Sequence, residues 1–130
     1  MWSYGEENEE IMVKFIRIRE LMRDYTRSLM REAHETGAPV MRAFFYEFPE
    51  DAVCWEIRDA YMFGPDILVA PVCYENARGR KVYLPAGVSF VHAGSGETYE
   101  GGKWYDVEAD IRTLQVFLRE GRQEYLIGKI

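Results

Sequence analysis

The stretch MFGPDILVAPV, Met62 to Val72, has the pattern of a turn followed by a buried strand. Gly64–Asp66 consists of residue types that favour turns, so the chain is expected to change direction there. The run Ile67–Ala70 is too apolar for a half-exposed strand, and ahead of Pro71 it is too short for a helix. The pattern therefore predicts a strand that enters a core, with Asp66 as a hydrogen-bond acceptor in the turn.

The segment downstream of Gly64 is predicted to form an antiparallel β-sandwich. Short apolar or alternating stretches are separated by Pro or Gly, a pattern typical of sheets with one wet face. Upstream of it, the aromatic-rich segment Pro39–Phe48 predicts a further strand, and Pro49–Phe63 predicts a short helix that begins near the proline. The seven strands expected after Gly64 are DILVAPV, RKVYLP, GVSFVHA, GETYEG, KWYDVEA, LQVFLRE and QEYLIGKI.

The N-terminal part predicts one long helix, because neither Pro nor Gly occurs between Glu6 and Glu35. Gly37 is placed just past its end, where a positive φ is favoured. Apolar residues recur at spacings of three and four, which puts them on one face. So wide an apolar face requires a partner surface from outside this chain or from a second copy of it. The residues of this face are Ile11, Phe15, Ile18, Met22, Tyr25 and Leu29.

Composition and charge exclude several classes of function. The chain has 130 residues, 48% of them hydrophobic and 15% aromatic, which suits one domain, or one domain and a piece of another, with a real core. The net charge is −6 and there is no basic stripe, so we expect no nucleic-acid partner. No apolar run reaches the roughly 18–20 residues that span a bilayer, so we expect no membrane partner.

The cysteine content and the N-terminus indicate a cytoplasmic protein. Cys54 and Cys73 are the two cysteines, they form no C-x-x-C pair, and we expect both to be free thiols. The first residues, MWSYGEENEE, lack the basic and apolar regions of a signal peptide. The location predicted from these two features is a reducing cytoplasm.

No group of residues has the pattern of a catalytic, cofactor or metal site. Acidic residues cluster near Pro49, but a cluster beside a helix start has a structural reason to exist. His34 and His92 lack neighbours at metal-ligand spacing, so we expect no metal and no cofactor. The one candidate is aromatic: Tyr99 lies within a glycine-rich connection, Trp104 and Tyr105 follow it, and such rings suit either ordinary packing or a sugar-stacking platform.

Several blocks, read in order, carry a resemblance to a known family. The blocks are EAHETGAPVMRAFFYEFPED, DAYMFGPDILVAPV, ARGRKVYLPAG, GETYEGG and VFLREG. Together they resemble the C-terminal part of glycoside hydrolase family 31, the retaining α-glucosidases and α-xylosidases, and the resemblance extends over essentially the whole chain. It implies the fold class: mainly β with a long N-terminal helix, an antiparallel β-sandwich preceded by the final helix of a (β/α)8 barrel.

The resemblance also implies how the chain is organised and what it lacks. Residues 1–37 correspond to the terminal helix of a truncated catalytic barrel, and residues 38–130 to the proximal C-terminal β-sandwich domain. The family's nucleophile and acid/base carboxylates lie upstream of the matched segment, so no catalytic residue carries over and the chain is expected to be inactive alone. Its partner would be the remainder of the barrel, which this chain would brace.

There are two alternatives to this interpretation, and the sequence departs from the family pattern at four positions. The chain could instead be a stand-alone carbohydrate-binding module using the aromatic residues, or a module that self-associates through the apolar helix face. These four positions are expected in loops and at strand edges. The departures therefore affect details of the predicted sandwich and not the assignment to the family. The positions are Ala43, Phe90, Asp110 and Gln115, where the family usually has Pro, Trp, Pro and Pro.

Overall fold

The computed structural model describes residues 2–130, which divide into two units. The first unit covers Met1–Val40 and the second covers Met41–Ile130. The first is helical, and the second contains all the strands of the described chain. No helix among residues 2–130 is both long enough and apolar enough to cross a membrane.

The first unit contains two helices where the sequence predicted one. After a 3-10 turn at Trp2–Tyr4, α1 spans Glu6–Leu21 and α2 spans Arg23–Thr36. Met22 separates them because its ψ is 4°, far from the helical value of about −42°. Helix-type hydrogen bonds still lie on both sides of Met22, so the interruption is one residue long. Neither Pro nor Gly marks the position, so the sequence carries no signal for it.

The C-terminal end of α2 was predicted correctly. Gly37 adopts the left-handed conformation, with φ 79°, and its N–H donates to the carbonyl of Ala33. A side chain at this φ would be strained, so glycine stabilises the end of the helix.

The predicted apolar face of the helices is only partly accessible. Ile18 and Leu29 are buried, and the other four residues of the face are half-buried. The most exposed large apolar side chains of the two helices belong to Ile16, Leu21 and Met30, which are 50%, 52% and 60% exposed. A partner of the helical unit would therefore contact these three residues together with the half-buried part of the face.

The second unit is built from two antiparallel sheets, which confirms the predicted fold class. The larger sheet has the strand order β1-β2-β3-β8-β5-β6, and the smaller one pairs β4 with β7. Strand β8 is central because it pairs with both β3 and β5. The strands are β1 Met41–Arg42, β2 Tyr61–Phe63, β3 Ile67–Val69, β4 Gly79–Leu84, β5 Ser89–His92, β6 Thr98–Glu100, β7 Lys103–Glu108 and β8 Val116–Arg119.

The segment Met62–Val72 forms a hairpin whose second strand is fully buried. Strand β3 pairs with β2 on one side and β8 on the other, and all three of its residues are buried. Gly64 has a positive φ of 64° in the connection, and Asp66 lies in the turn as predicted. The Asp66 carboxylate accepts a hydrogen bond of 2.9 Å from the side-chain amide of Gln123.

The prediction of one strand over Pro39–Phe48 was wrong. Strand β1 covers only two residues, and Phe44–Glu47 forms a short helix, α3. The helical turn brings the carboxylate of Glu47 into an ion pair with the guanidinium of Arg42, which is 5% exposed. In a strand, these residues would be about 17 Å apart, so the buried arginine would have no such partner.

Two other predictions need correction. The helix expected after Pro49 is a 3-10 turn, Ala52–Trp55, and β2 occupies the end of that segment. The expected last strand, QEYLIGKI, is instead a 3-10 turn at Glu124–Leu126. The backbone of Gly128 has a φ of 75°, incompatible with a continuous strand, and its N–H donates to the carbonyl of Ala93 at 2.7 Å.

The hydrophobic core lies between the two sheets. Side chains from both sheets and from α3 form one buried cluster, and half-buried aromatic and aliphatic residues pack against it. The buried residues of the cluster are Phe44, Cys54, Met62, Leu68, Ala70, Val82, Tyr83, Leu84, Phe90 and Phe117.

Candidate functional site

The three aromatic residues singled out from the sequence do not share one face. Trp104 and Tyr105 are neighbours in β7, so their side chains point to opposite sides of the sheet. The Tyr99 and Tyr105 rings meet edge to face at 4.9 Å, and both pack against the core. The structure therefore brings these two tyrosines together and leaves Trp104 apart. The sugar-stacking platform stays a prediction, and Trp104 is the residue on which it depends.

Trp104 is exposed, and its ring packs against that of a tyrosine. Its side chain is 54% exposed, and its ring lies 5.3 Å from that of Tyr83, its partner across the β4–β7 pair.

The two tyrosines differ from Trp104 in being held by the fold. The pKa of the Tyr99 phenol is raised by burial and by its hydrogen bond to Glu97. Tyr99 and Tyr105 are also held by hydrogen bonds to Glu97 and to the carbonyl of Glu100, so they have the character of packing residues.

Most of the acidic residues near Pro49 have structural partners. Glu47 pairs with Arg42, and Asp59 pairs with Arg80 at 3.1 Å. No group of three or more His, Cys, Asp and Glu side chains within residues 2–130 is arranged to hold a metal ion. These carboxylates stabilise the sandwich and its loops.

Asp51 joins three segments of the second unit. One carboxylate oxygen accepts from the N–H of Val53 at the start of the 3-10 turn. The other accepts from the hydroxyl of Tyr83 at 2.7 Å and from the N–H of Ala86 at 2.9 Å. Burial raises the Asp51 pKa, but these hydrogen bonds outweigh it, so the net pKa lies below the ordinary value of 3.8. Asp51 is therefore an ionised structural acceptor.

The Asp51 carboxylate also influences the thiol beneath it. Burial, and then the negative charge and hydrogen bond of Asp51, raise the pKa of Cys54 to about 12. Burial and the same carboxylate raise the pKa of Tyr83, so its hydroxyl stays protonated and donates. A thiol that is fully buried and protonated is a poor nucleophile.

We expect the two cysteines to react with thiol reagents at very different rates. Cys73 is exposed and Cys54 is buried, so an aromatic disulfide reagent should modify one thiol of the folded chain and both after denaturation. In the Cys73→Ser variant the folded protein should show almost no reaction. Equal rates for both thiols in the native chain would contradict this arrangement.

His92, Gln115 and Glu108 form a partly buried polar link between the sheets. The His92 ring accepts from the N–H of Ser95 at Nδ1 (3.1 Å), so Nε2 carries the proton and donates to Oε1 of Gln115 at 3.0 Å. The amide nitrogen of Gln115 donates to the carbonyl of Glu108 at 2.8 Å. Gln115 is only 3% exposed, so this polar side chain is held in one orientation.

A cavity of about 440 Å³ opens next to this link, between the loop of residues 71–78 and the loop of residues 109–115. Its wall includes the exposed ring of Tyr74 and the polar side chains of Asn76, Arg78 and Asp110. The sequence carries no signal for this cavity, because the two loops lie more than 30 residues apart. Neither loop alone contains a recognisable motif.

Comparison with known proteins identifies the family. Residues 37–122 match the family model described as the glycosyl hydrolase family 31 C-terminal domain. The chain belongs to glycosyl hydrolase family 31. The match covers most of the second unit, and the predicted resemblance is thereby confirmed.

Relatives within family 31 are much longer than this chain. The chain is 38% identical over 120 residues to α-glucosidase 2 of Bacillus thermoamyloliquefaciens, covering 92% of this chain and 15% of that protein. A crystal structure of a family 31 α-xylosidase from a soil metagenome, complexed with xylose, superposes with a TM-score of 0.93 at 46% identity. That match covers 97% of this chain and 19% of the other.

The names of the relatives differ in the sugar they describe. A family 31 dextranase from Flavobacterium johnsoniae, solved with glucose, has a TM-score of 0.88 at 35% identity, covering 92% of this chain and 15% of its own. Glucosidase, xylosidase and dextranase thus share this domain. Membership of family 31 therefore does not by itself define a substrate.

Proposed function

We propose that the chain is the non-catalytic C-terminal portion of a retaining α-glycosidase that releases terminal α-linked glucose or xylose. The observation that carries the proposal is the match of residues 37–122 to a C-terminal domain, in a chain that spans only 15–19% of the relatives compared. A retaining glycosidase uses two carboxyl groups about 5–5.5 Å apart. In the proposal, both belong to the preceding barrel.

In this proposal the chain braces the catalytic barrel and contributes its last helix. Residues 6–36 would be that helix, with Met22 as a local interruption. The exposed Ile16, Leu21 and Met30, together with the half-buried residues of the helical face, would lie against the rest of the barrel. Burying such side chains is worth about 1.5–3 kcal/mol each, which favours a stable junction. Cys54 and Cys73 are free thiols, which supports the cytoplasmic location that we include in the proposal.

The size of the native polypeptide tests this proposal directly. Peptide mapping of the protein from its source cells should find this sequence in a polypeptide several times larger than 15.2 kDa, with barrel peptides upstream of it. A native polypeptide of 15.2 kDa that associates with no barrel would overturn the proposal.

Activity measurements provide a second test. The isolated 130-residue chain should hydrolyse neither an aryl α-glucoside nor an aryl α-xyloside, since the proposal assigns both catalytic carboxylates to the preceding barrel. A complete family 31 α-glucosidase assayed in parallel shows that the conditions support turnover. Turnover by the isolated chain that disappears on substitution of one of its own acidic residues would contradict the proposal.

The alternative of a stand-alone sugar-binding module is favoured by one observation, the exposed and supported ring of Trp104. The alternative of self-association through the helices is less well supported, because Ile18 and Leu29 are buried and cannot meet a second copy. Fluorescence titration of the chain with α-linked oligosaccharides tests the first alternative, since only a chain that binds sugar at Trp104 should change the emission of that tryptophan.

A further inference from the structure

We propose that the cavity between residues 71–78 and 109–115 is a binding site for a neutral oligosaccharide. The nature of the cavity wall indicates a neutral, polyhydroxylated ligand. The choice of an α-linked sugar rests on the proposed function. This site is distinct from Trp104, which does not line the cavity.

The cavity lies at one end of the sandwich, where the two sheets part. The N–H of Ala70 donates to the carbonyl of Gln115 at 2.9 Å, which extends the pairing of β3 and β8. The N–H of Ala109 donates to the carbonyl of Arg78 at 2.8 Å, which extends the pairing of β4 and β7. One wall therefore continues the larger sheet and the other continues the smaller sheet, so the scaffold of the cavity is the sandwich itself.

The base of the cavity is held by polar contacts, most of which are partly buried. Gln115 lines it, and both ends of its side-chain amide are bonded, to His92 and to the carbonyl of Glu108. On the other side, the guanidinium of Arg80 donates to the carbonyl of Pro71 and, at 2.9 Å, to the carbonyl of Asp59. A base fixed before binding lowers the entropy lost when a ligand is held.

The side chains at the rim offer one ring and several planar polar groups. Tyr74 is 78% exposed, so a face of its ring is available to the apolar face of a pyranose. Asn76 and Arg78 are exposed beside it and line the same cavity. These groups can donate to and accept from adjacent hydroxyls.

The charge and size of the cavity narrow the ligand class. Arg78 and Asp110 are the charged residues of its wall, so its formal charge is zero and it favours neither phosphate nor a cation. Val72 and Leu114 supply apolar surface. The volume of about 440 Å³ lies in the range of about 300–1,000 Å³ typical of small-molecule sites. A neutral molecule with apolar faces and polar edges satisfies all three conditions, and a sugar is such a molecule.

The test is a titration of the ¹⁵N-labelled 130-residue chain with isomaltotriose and with maltotriose, followed by NMR. We expect amide shifts confined to residues 71–78 and 109–115, with a dissociation constant on the order of 1 mM. Tyr74→Ala should weaken binding about tenfold, which is the loss of about 1.4 kcal/mol expected for one ring contact. The variant should fold normally because the side chain is exposed.

Trp104→Ala is the matched control, since it removes another exposed aromatic ring that lies outside the cavity. Its affinity should equal that of the unmodified chain. Shifts centred on β7 that disappear in Trp104→Ala, or no shifts with either sugar up to about ten times the expected dissociation constant, would overturn the cavity proposal.

The result of the sugar titration is independent of the result that tests the proposed function. A large native polypeptide combined with absent sugar shifts would remove the cavity site and leave the bracing role standing. Sugar shifts at the cavity combined with a native polypeptide of 15.2 kDa would remove the bracing role and support the cavity site.

Discussion

Replacing Phe117 with alanine is expected to lower the free energy of unfolding by about 4 kcal/mol. The side chain is fully buried in β8, the strand that pairs with both β3 and β5. Its ring lies 5.0 Å from that of His92 and 5.9 Å from that of Tyr99. The substitution removes the transfer free energy of the ring and leaves a cavity in the middle of the larger sheet, which cannot collapse because strands flank it on both sides.

Urea unfolding followed by circular dichroism measures this loss. Phe117→Leu, which refills most of the volume, should cost about 1–1.5 kcal/mol. Phe45→Ala is a suitable control: Phe45 is 40% exposed and stacks on Trp55 at 4.7 Å, so its loss should cost no more than about 1 kcal/mol. Equal destabilisation by Phe117→Ala and Phe45→Ala would show that the centre of the core is not where the structure has it.

Replacing Asp51 with alanine should be the second most damaging substitution, with a loss of about 3 kcal/mol. It leaves the hydroxyl of Tyr83 and the N–H groups of Ala86 and Val53 without their acceptor. Hydrogen bonds to a charged group contribute about 1.5–3 kcal/mol each, and loss of a cap costs about 1 kcal/mol. These contributions do not add fully, because the freed groups recover part of their hydration.

A double-mutant cycle isolates the Asp51–Tyr83 interaction. Tyr83→Phe removes only the donor, so in the Asp51→Ala background its additional cost should almost vanish. Asp106→Ala, which changes an exposed aspartate of β7, should alter the unfolding free energy by less than about 0.5 kcal/mol. Full additivity of Asp51→Ala and Tyr83→Phe would refute the link.

The contribution of Asp51 should also depend on pH. Because its pKa in the folded chain lies below 3.8, the unfolded chain binds the proton first as the pH falls. The stabilisation is therefore complete above the unfolded pKa and is lost as the pH drops through the lower folded value. The difference in unfolding free energy between the unmodified chain and Asp51→Asn should stay constant near neutral pH and shrink below about pH 4. A difference that grows toward acid would have the wrong sign for an ionised acceptor.

The candidate cavity shows why sequence reasoning finds some sites and misses others. Trp104 and Tyr105 were identifiable because adjacent aromatic residues form a visible pattern. Their separation onto opposite faces follows from the two-residue period of a strand, but the exposure of Trp104 depends on what lies above and below the sheet. Tyr74, Asn76 and Asp110 carry no pattern, because they meet only where β3, β4, β7 and β8 end together.

The sequence by itself determined the features that depend on neighbours along the chain. Gly37 at the end of α2, the turn before Ile67 and the buried strand after it, and six of the seven strands expected after Gly64 all follow from local residue type and spacing. The order of the sequence blocks that resemble the family was enough to indicate family 31. Such signals survive because a turn or a short strand is specified within a few residues.

Only the tertiary structure decided the features that depend on distant partners. The helix at Phe44–Glu47 exists where the pattern favours a strand, because it closes the ion pair between Glu47 and the buried Arg42. The C-terminal residues form a turn because Gly128 bonds to Ala93, a residue 35 positions away. In both cases a contact that the local residue pattern does not encode outweighs the local preference for a strand. Leaving a buried charge or a buried backbone group without a partner costs more free energy than strand propensity contributes.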